Sequence, residues 1–257
     1  MKKSIEILTD RIRKILMENE SSAYLFGSCC FEDFRLGWSD IDILILTDKT
    51  LSEKQADQLV NLRQTLLDEY PGNPYFRLFE GGILSIGEFL DCKMERVVYW
   101  GTSGQRIIDN YSFDVFSMMQ LRDSGILLYG EDIRDRFRYP SYEEVIEAVR
   151  NHLHTIRTYA VNTGRNLYSA GWILDIARCL YTLSERKIIS KTKAGYWAIE
   201  NKLVSDATLL KKVLSIREKP LDYQQSTEVL DWLETLGPAV QEFADVLEHK
   251  LAGITNR

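Results

Sequence analysis

Leu25-Phe26-Gly27-Ser28, then eleven residues (29–39), then Asp40-Ile41-Asp42-Ile43-Leu44 is the stretch whose reading decides the fold. Ala23 to Phe26 is a short apolar run ending at Gly27, as in a buried strand that runs into a turn. Ile41 to Leu46 is a second strand, apolar except for Asp42, with Asp40 at its head. Side chains alternate across a strand, so Asp40 and Asp42 share one face while Ile41 points into the opposite core. Two charges in an apolar strand are costly unless something compensates them. A hard divalent cation is that compensation, and paired carboxylates suit Mg²⁺. Gly27 lets the backbone approach a phosphate closely, the N–H groups that follow form an anion site, and Ser28 adds a hydroxyl. A Gly-Ser pair alone is a common turn, and Asp-x-Asp alone is frequent in loops. Their joint arrangement on two successive strands is specific, and it implies a site for a triphosphate and its metal.

Working outward, Ile5, Leu8, Ile12, Ile15 and Leu16 follow a helical period. A helix is expected over residues 50–70, with Ser52 and Gln55 as a capping box and Pro71-Gly72-Asn73-Pro74 as its stop. Residues 76–86 form a third strand candidate, interrupted by Gly81-Gly82, and residues 115–128 read as a helix. The order helix, strand, strand, helix, strand, helix implies a mixed sheet flanked by helices, an α/β domain over residues 1–140. Beyond Tyr139-Pro140-Ser141 the periodicity is almost purely helical. Val145, Ile146, Val149, Leu153 and Ile156 form one apolar face, and Trp172, Ile173, Ile176, Ala177, Leu180 and Leu183 a second. Leu230, Leu233, Leu236, Val240, Phe243 and Leu247 form a third, with Pro238 inside it. An all-α helical bundle domain is expected over residues 141–257.

With 257 residues and 45% hydrophobic content, the chain can bury a sizeable core. The net charge is −6 and no basic stripe is visible, which argues against a nucleic-acid partner and suits a small or cationic one. No apolar run is long enough for a membrane span and the N-terminus lacks a signal-peptide core, so a cytoplasmic, non-membrane protein is expected. Cys29, Cys30, Cys92 and Cys179 include no CxxC, and His152, His154 and His249 form no HExxH, so a zinc site is not expected. Adjacent Cys29 and Cys30 read as small helix residues beside the phosphate turn rather than as a redox pair. A monomer is the favoured state.

The Gly-Ser, spacer, Asp-x-Asp pattern resembles the signature of the polymerase-β-like nucleotidyltransferase superfamily. Arg77-Leu78-Phe79-Glu80-Gly81-Gly82 is similar to the strand that bears the catalytic glutamate in the spectinomycin and streptomycin (aminoglycoside) adenylyltransferase family, with Glu80 at the glutamate's place. Gly81-Gly82 departs from that family's β-branched pair. Ile176-Ala177-Arg178-Cys179-Leu180-Tyr181 and Ile188 to Ile199 resemble the family's C-terminal segments, through Arg178 and Lys191.

The resemblance implies an α/β nucleotidyltransferase domain followed by a helical domain, and transfer of AMP from ATP to a hydroxyl of a small molecule such as an aminoglycoside-like antibiotic. It implies that Asp40 and Asp42 hold Mg²⁺, with two ions expected, that Gly27 and Ser28 anchor phosphates, and that Glu80 is the general base. Arg178 and Lys191 would reach the triphosphate from the helical domain. The family's streptomycin-handling tryptophan and an acidic residue have no counterparts, since Ser103 and Ser169 or Ala170 stand there, which points away from streptomycin and spectinomycin themselves. Asp114, Glu88 and Glu131 are weighed as contacts to a cationic acceptor against plain surface charges. The alternatives are a protein- or RNA-nucleotidylating antitoxin-like enzyme, a lincosamide nucleotidyltransferase and a catalytically silent nucleotide-binding module.

Overall fold

The structure, a computed structural model, describes residues 1–91, 93–101, 104–204 and 207–255. It divides into two compact units: Met1–Glu32 with Asp40–Tyr139, and Asp33–Ser39 with Pro140–Arg257. The boundary after Tyr139 falls where the composition shifts, but the seven residues 33–39 belong to the helical unit.

The first unit holds strands β1 (Ser21–Phe26), β2 (Ile41–Thr47), β3 (Phe79–Ser85), β4 (Val97–Gly101), β5 (Gly104–Ile108) and β6 (Ile126–Tyr129). They form one sheet in the order β5-β4-β3-β2-β1-β6. Only β2 and β3 run parallel; the other pairs are antiparallel. Its helices are α1 (Lys2–Ile15), α2 (Glu53–Glu69), α3 (Ile86–Asp91) and α4 (Val115–Ser124).

Alternation decides which helix covers which face. Ala23, Ile43, Ile45 and Phe79 face Ile5, Leu8 and Ile12 of α1. Tyr24, Phe26, Leu44, Leu46 and Leu84 point the other way, into a core with Phe89, Leu121 and Phe137. Helix α2 starts with both bonds of the Ser52–Gln55 capping box in place.

The third strand is not interrupted. It begins at Phe79, after a 3-10 turn over Phe76–Leu78, and continues through both glycines in register with β2, Ile43 opposite Gly81. Gly81 has φ +142°, and a Cβ there would stand 1.8 Å from the Ile43 carbonyl oxygen. The helix expected over 115–128 stops at Ser124, and 126–129 form the edge strand β6 instead. Helix α3 and the hairpin β4–β5 also lie outside the expected order of elements.

The second unit contains α5 (Tyr142–Tyr159), α6 (Tyr168–Glu185), α7 (Lys191–Glu200), α8 (Ala207–Glu218), α9 (Pro220–Tyr223), α10 (Thr227–Glu234) and α11 (Gly237–Thr255). The three expected apolar faces fall on α5, on α6 and across α10 and α11. Pro238 starts α11 rather than interrupting a longer helix, as suits a residue without an N–H. No helix among the described residues is long and apolar enough to cross a membrane.

Because Gly81 packs against a neighbouring carbonyl at positive φ, Gly81→Val should cost at least about 2 kcal/mol. Urea denaturation followed by circular dichroism measures it; an unchanged midpoint would contradict the close packing of β3 on β2.

Candidate active site

The register of three strands assembles the site. Phe26 of β1 pairs with Asp42 of β2, and Asp42 pairs with Glu80 of β3. Paired residues project to the same side of a sheet, so Asp42 and Glu80 stand side by side. Asp40 stands two residues before Asp42, just ahead of β2. The chain leaves β1 at Gly27 and makes a 3-10 turn, Gly27–Phe31, rather than the regular helix expected there. Gly27 has φ +71°, and a Cβ on it would fall 1.9 Å from Asp42 Oδ2. The glycine thus lets the turn lie directly on the Asp42 carboxylate. The Ser28 hydroxyl reaches the Asp40 carbonyl at 3.4 Å. Gly27, Ser28, Asp40, Asp42 and Glu80 are brought together in one place.

Cys29 and Cys30 follow in the same turn. Burial, with the Asp42 charge added, pushes their thiols up to about 12 and about 11, so they stay protonated at neutral pH. Cys30 Sγ donates to the Leu25 carbonyl at 3.1 Å.

A buried arginine supports the carboxylates from the other side. Arg63 of α2 donates to the carbonyls of Phe79 and Gly101, at 2.9 and 3.0 Å. Burial pushes its guanidinium below its usual value, and the charges of Glu80 and Asp40 oppose that shift. Tyr99 of β4 donates through its hydroxyl to Glu80 Oε1 at 3.3 Å.

Among the described residues no three His, Cys, Asp or Glu side chains converge into a metal cage. Mg²⁺ does not need one, because it is commonly held by one or two carboxylates together with substrate phosphates and water. Asp40 and Asp42, two hard oxygen donors beside a phosphate-sized turn, fit that kind of site. A cavity of about 830 Å³ lies elsewhere in this unit, where Thr47 ends β2 and Tyr129 ends β6.

In the helical unit, Arg178 and Lys191 meet on one carboxylate that the sequence reading passed over. Asp175 Oδ1 is 3.0 Å from Arg178 Nη2, and Oδ2 is 3.1 Å from Lys191 Nζ. Burial opposes the Asp175 charge, but the Lys191 and Arg178 cations overcome it and hold the carboxyl down at about 2. Its place three residues before Arg178, on the same helix face, was the available signal.

A second missed cluster lies in the segment before Asp40. Asp33 and Arg217 are each 3% exposed, and Arg217 Nη2 is 3.1 Å from Asp33 Oδ2. Asp33 also accepts from the Thr192 hydroxyl at 2.6 Å, in the first turn of α7. The Trp38 ring lies 5.2 Å from the Arg217 guanidinium.

Two of the three candidate acceptor contacts, Glu88 and Asp114, are taken up in the fold itself. Glu88 is 5% exposed and accepts from the backbone N–H groups of Ser85, Glu95 and Arg96 and from the Ser85 hydroxyl. Asp114 caps α4 through the N–H of Ser117. Glu131 lies by the large cavity at the other end of the strands. Ser169 is buried and closes the turn before α6 through Gly164, and Ala170 is fully buried. Ser103 and Cys92 lie outside the described residues.

Residues 137–248 match the family model described as the C-terminal domain of aminoglycoside adenylyltransferase, and residues 9–75 match that of a nucleotidyltransferase domain. By these two matches the chain resembles the aminoglycoside adenylyltransferase family. It is a nucleotidyltransferase, and the N-terminal match takes in Gly27, Ser28, Asp40 and Asp42 but ends before Glu80. The fold is similar to that of the spectinomycin adenyltransferase AAD(9) from Enterococcus faecialis, with a TM-score of 0.64 and 16% identity over 96% of this chain and 99% of that one. Comparison with curated proteins gives no match.

Two outcomes follow for the helical unit. Removing one partner of the buried pair, as in Asp33→Asn, strands the other charge and should cost about 3–5 kcal/mol, whereas Asp33→Leu with Arg217→Met should restore much of it. Equal losses in single and double variants by urea denaturation would rule out a pairwise interaction. For Asp175, the folded value of about 2 lies below the ordinary 3.8, so its ion pairs contribute fully above about pH 4. That contribution is lost as the pH falls toward about 2. Asp175→Asn should therefore flatten the stability profile in that window, and an unaltered acid profile would refute the pairing.

Proposed function

We propose that this chain transfers AMP from Mg-ATP to a hydroxyl of a small molecule, an aminoglycoside-like antibiotic, and releases pyrophosphate. The observation that carries the reading is the pairing of Asp42 with Glu80 on one sheet face, directly behind Gly27 and Ser28. The spectinomycin adenyltransferase of the same fold was solved with ATP and spectinomycin, which supports ATP as donor and an acceptor of that class.

In this reading Asp40 and Asp42 would hold Mg²⁺, which would supply positive charge against the charge that develops on the phosphates. The Gly27 turn and the Ser28 hydroxyl bind the phosphates. Glu80 takes the proton of the acceptor hydroxyl as its oxygen bonds to the α-phosphorus, and the electron pair of the broken bond leaves with pyrophosphate. Arg178 and Lys191, the two cations that flank Asp175, are the residues this reading assigns to the polyphosphate.

The test is incubation with ATP, Mg²⁺ and a panel of aminoglycosides and lincosamides, with pyrophosphate release and acceptor mass followed together. A gain of one adenylyl unit on one compound is the expected result. Silence with ATP binding intact would redirect the assignment to a protein or RNA acceptor, and silence without ATP binding to a catalytically silent module. Asp42→Asn should abolish transfer in a folded protein. Glu80→Gln should lower kcat by about 10²–10⁴ with little change in ATP affinity, and an unchanged rate would remove Glu80 from the base role.

A further inference from the structure

The sheet beside Glu80 is built by leaving side chains out of the strands and laying tyrosines in the space. Gly82 follows Glu80 by two residues in β3 and so shares its face; Gly101 stands in the same relation to Tyr99 in β4. A Cβ on Gly82 would come within 2.7 Å of the Tyr111 ring and 3.0 Å of its hydroxyl oxygen. One on Gly101 would come within 2.5 Å of the Tyr99 hydroxyl oxygen. The two rings are neighbours, with centroids 6.2 Å apart.

The two hydroxyls have different surroundings. Tyr99, whose Cα pairs with Gly82, donates diagonally across the strands to Glu80 Oε1 at 3.3 Å. Its ring is held by the Arg106 guanidinium, 5.0 Å from the centroid, and by Tyr111. Arg63 ties the carbonyl just before Glu80 to that of Gly101, and so fixes the two strand ends on which Glu80 and Tyr99 stand. A donor on a rigid support thus faces one oxygen of the Glu80 carboxylate.

We infer that Tyr99 is a positioning residue for the base: its hydroxyl bond to Oε1 of Glu80 helps to orient the carboxylate that takes the proton of the acceptor hydroxyl. The inference rests on the AMP-transfer reading, which names Glu80 as base. As the acceptor oxygen bonds to the α-phosphorus, its proton passes to the Glu80 carboxylate, and the broken bond's electron pair leaves with pyrophosphate. Proton transfer demands that the receiving oxygen stay within hydrogen-bond reach of the acceptor. At 3.3 Å the Tyr99 bond is looser than a tight O–H···O contact. Its loss is therefore expected to cost about tenfold in rate, less than loss of the base itself.

Tyr99→Phe keeps the ring and removes only the hydroxyl. In the full-length chain it should lower kcat about tenfold and leave KM for ATP within about twofold. In a Glu80→Gln background the same change should alter kcat by less than about twofold, because the group through which Tyr99 acts is gone. Equal losses in both backgrounds, or a raised KM for ATP with kcat intact, would overturn the inference. A Glu80→Gln variant that transfers AMP at the full rate would instead sink the base assignment itself. A second measurement needs no turnover: the side-chain carboxyl ¹³C signal of Glu80, identified by its loss in Glu80→Gln, should move in Tyr99→Phe without nucleotide. A signal that stays in place would overturn the inference whatever the acceptor.

Discussion

The parallel pairing of β2 with β3 is the interaction on which the candidate site depends. Every other neighbouring pair in the sheet is antiparallel, and only a parallel pair sets the beginnings of two strands side by side. Asp42 and Glu80 both stand near such a beginning, which is why they meet. The connection needed to return the chain in parallel is long, and α2 supplies it. A slip of one residue in this register would turn Glu80 to the face covered by α1. Gly81, pressed against the Ile43 carbonyl, and Arg63, bonded to the ends of β3 and β4, both oppose such a slip.

Much of this was legible in the sequence, for reasons that can be named. β1 and β2 announce themselves because an apolar run with charges at one end has few other folded solutions. The capping box at Ser52 is a local motif, and local hydrogen bonding was enough to form it. β3 was harder, because two glycines read as a break when the neighbouring strand is unknown. In the sheet those glycines are sites of close approach, by the Ile43 carbonyl at one and the Tyr111 ring at the other. β6 was absorbed into the preceding helix, since Ile126-Leu127-Leu128 continues an apolar pattern that suits either state. β5 gave little signal because it is an edge strand with largely exposed or half-exposed residues. Tyr99 and Asp33 could not be singled out at all. Their significance lies in partners 19 and 184 residues away, which no local pattern encodes.

Charge is used differently in the two units. In the first, carboxylates gather on one face with a buried guanidinium behind them, an arrangement that pays a desolvation cost in order to keep an anionic row in place. In the second, the cations Arg178, Lys191 and Arg217 each find an aspartate. Apolar replacements of similar volume would fill the same space without the desolvation penalty. What ion pairs add is direction, since a carboxylate accepting from the Thr192 hydroxyl and from Arg217 admits few placements of the chain around it.

The seven residues Asp33–Ser39 have a consequence for how this chain can be cut and joined. They belong to the helical unit yet are encoded between the Gly-Ser turn and the first aspartate, so the polypeptide passes into that unit and back before returning at Pro140. The helical unit is therefore discontinuous in the gene. A fragment starting at residue 140 would lack Asp33 and Trp38 and deprive Arg217 of its ion pair with Asp33. A recombination event that exchanged the C-terminal half between relatives would join an inserted loop from one parent to a receiving helix from the other. Shuffling at that boundary should succeed only between parents whose loop and helix already agree in charge and shape, which binds the two halves of the gene into one unit of inheritance.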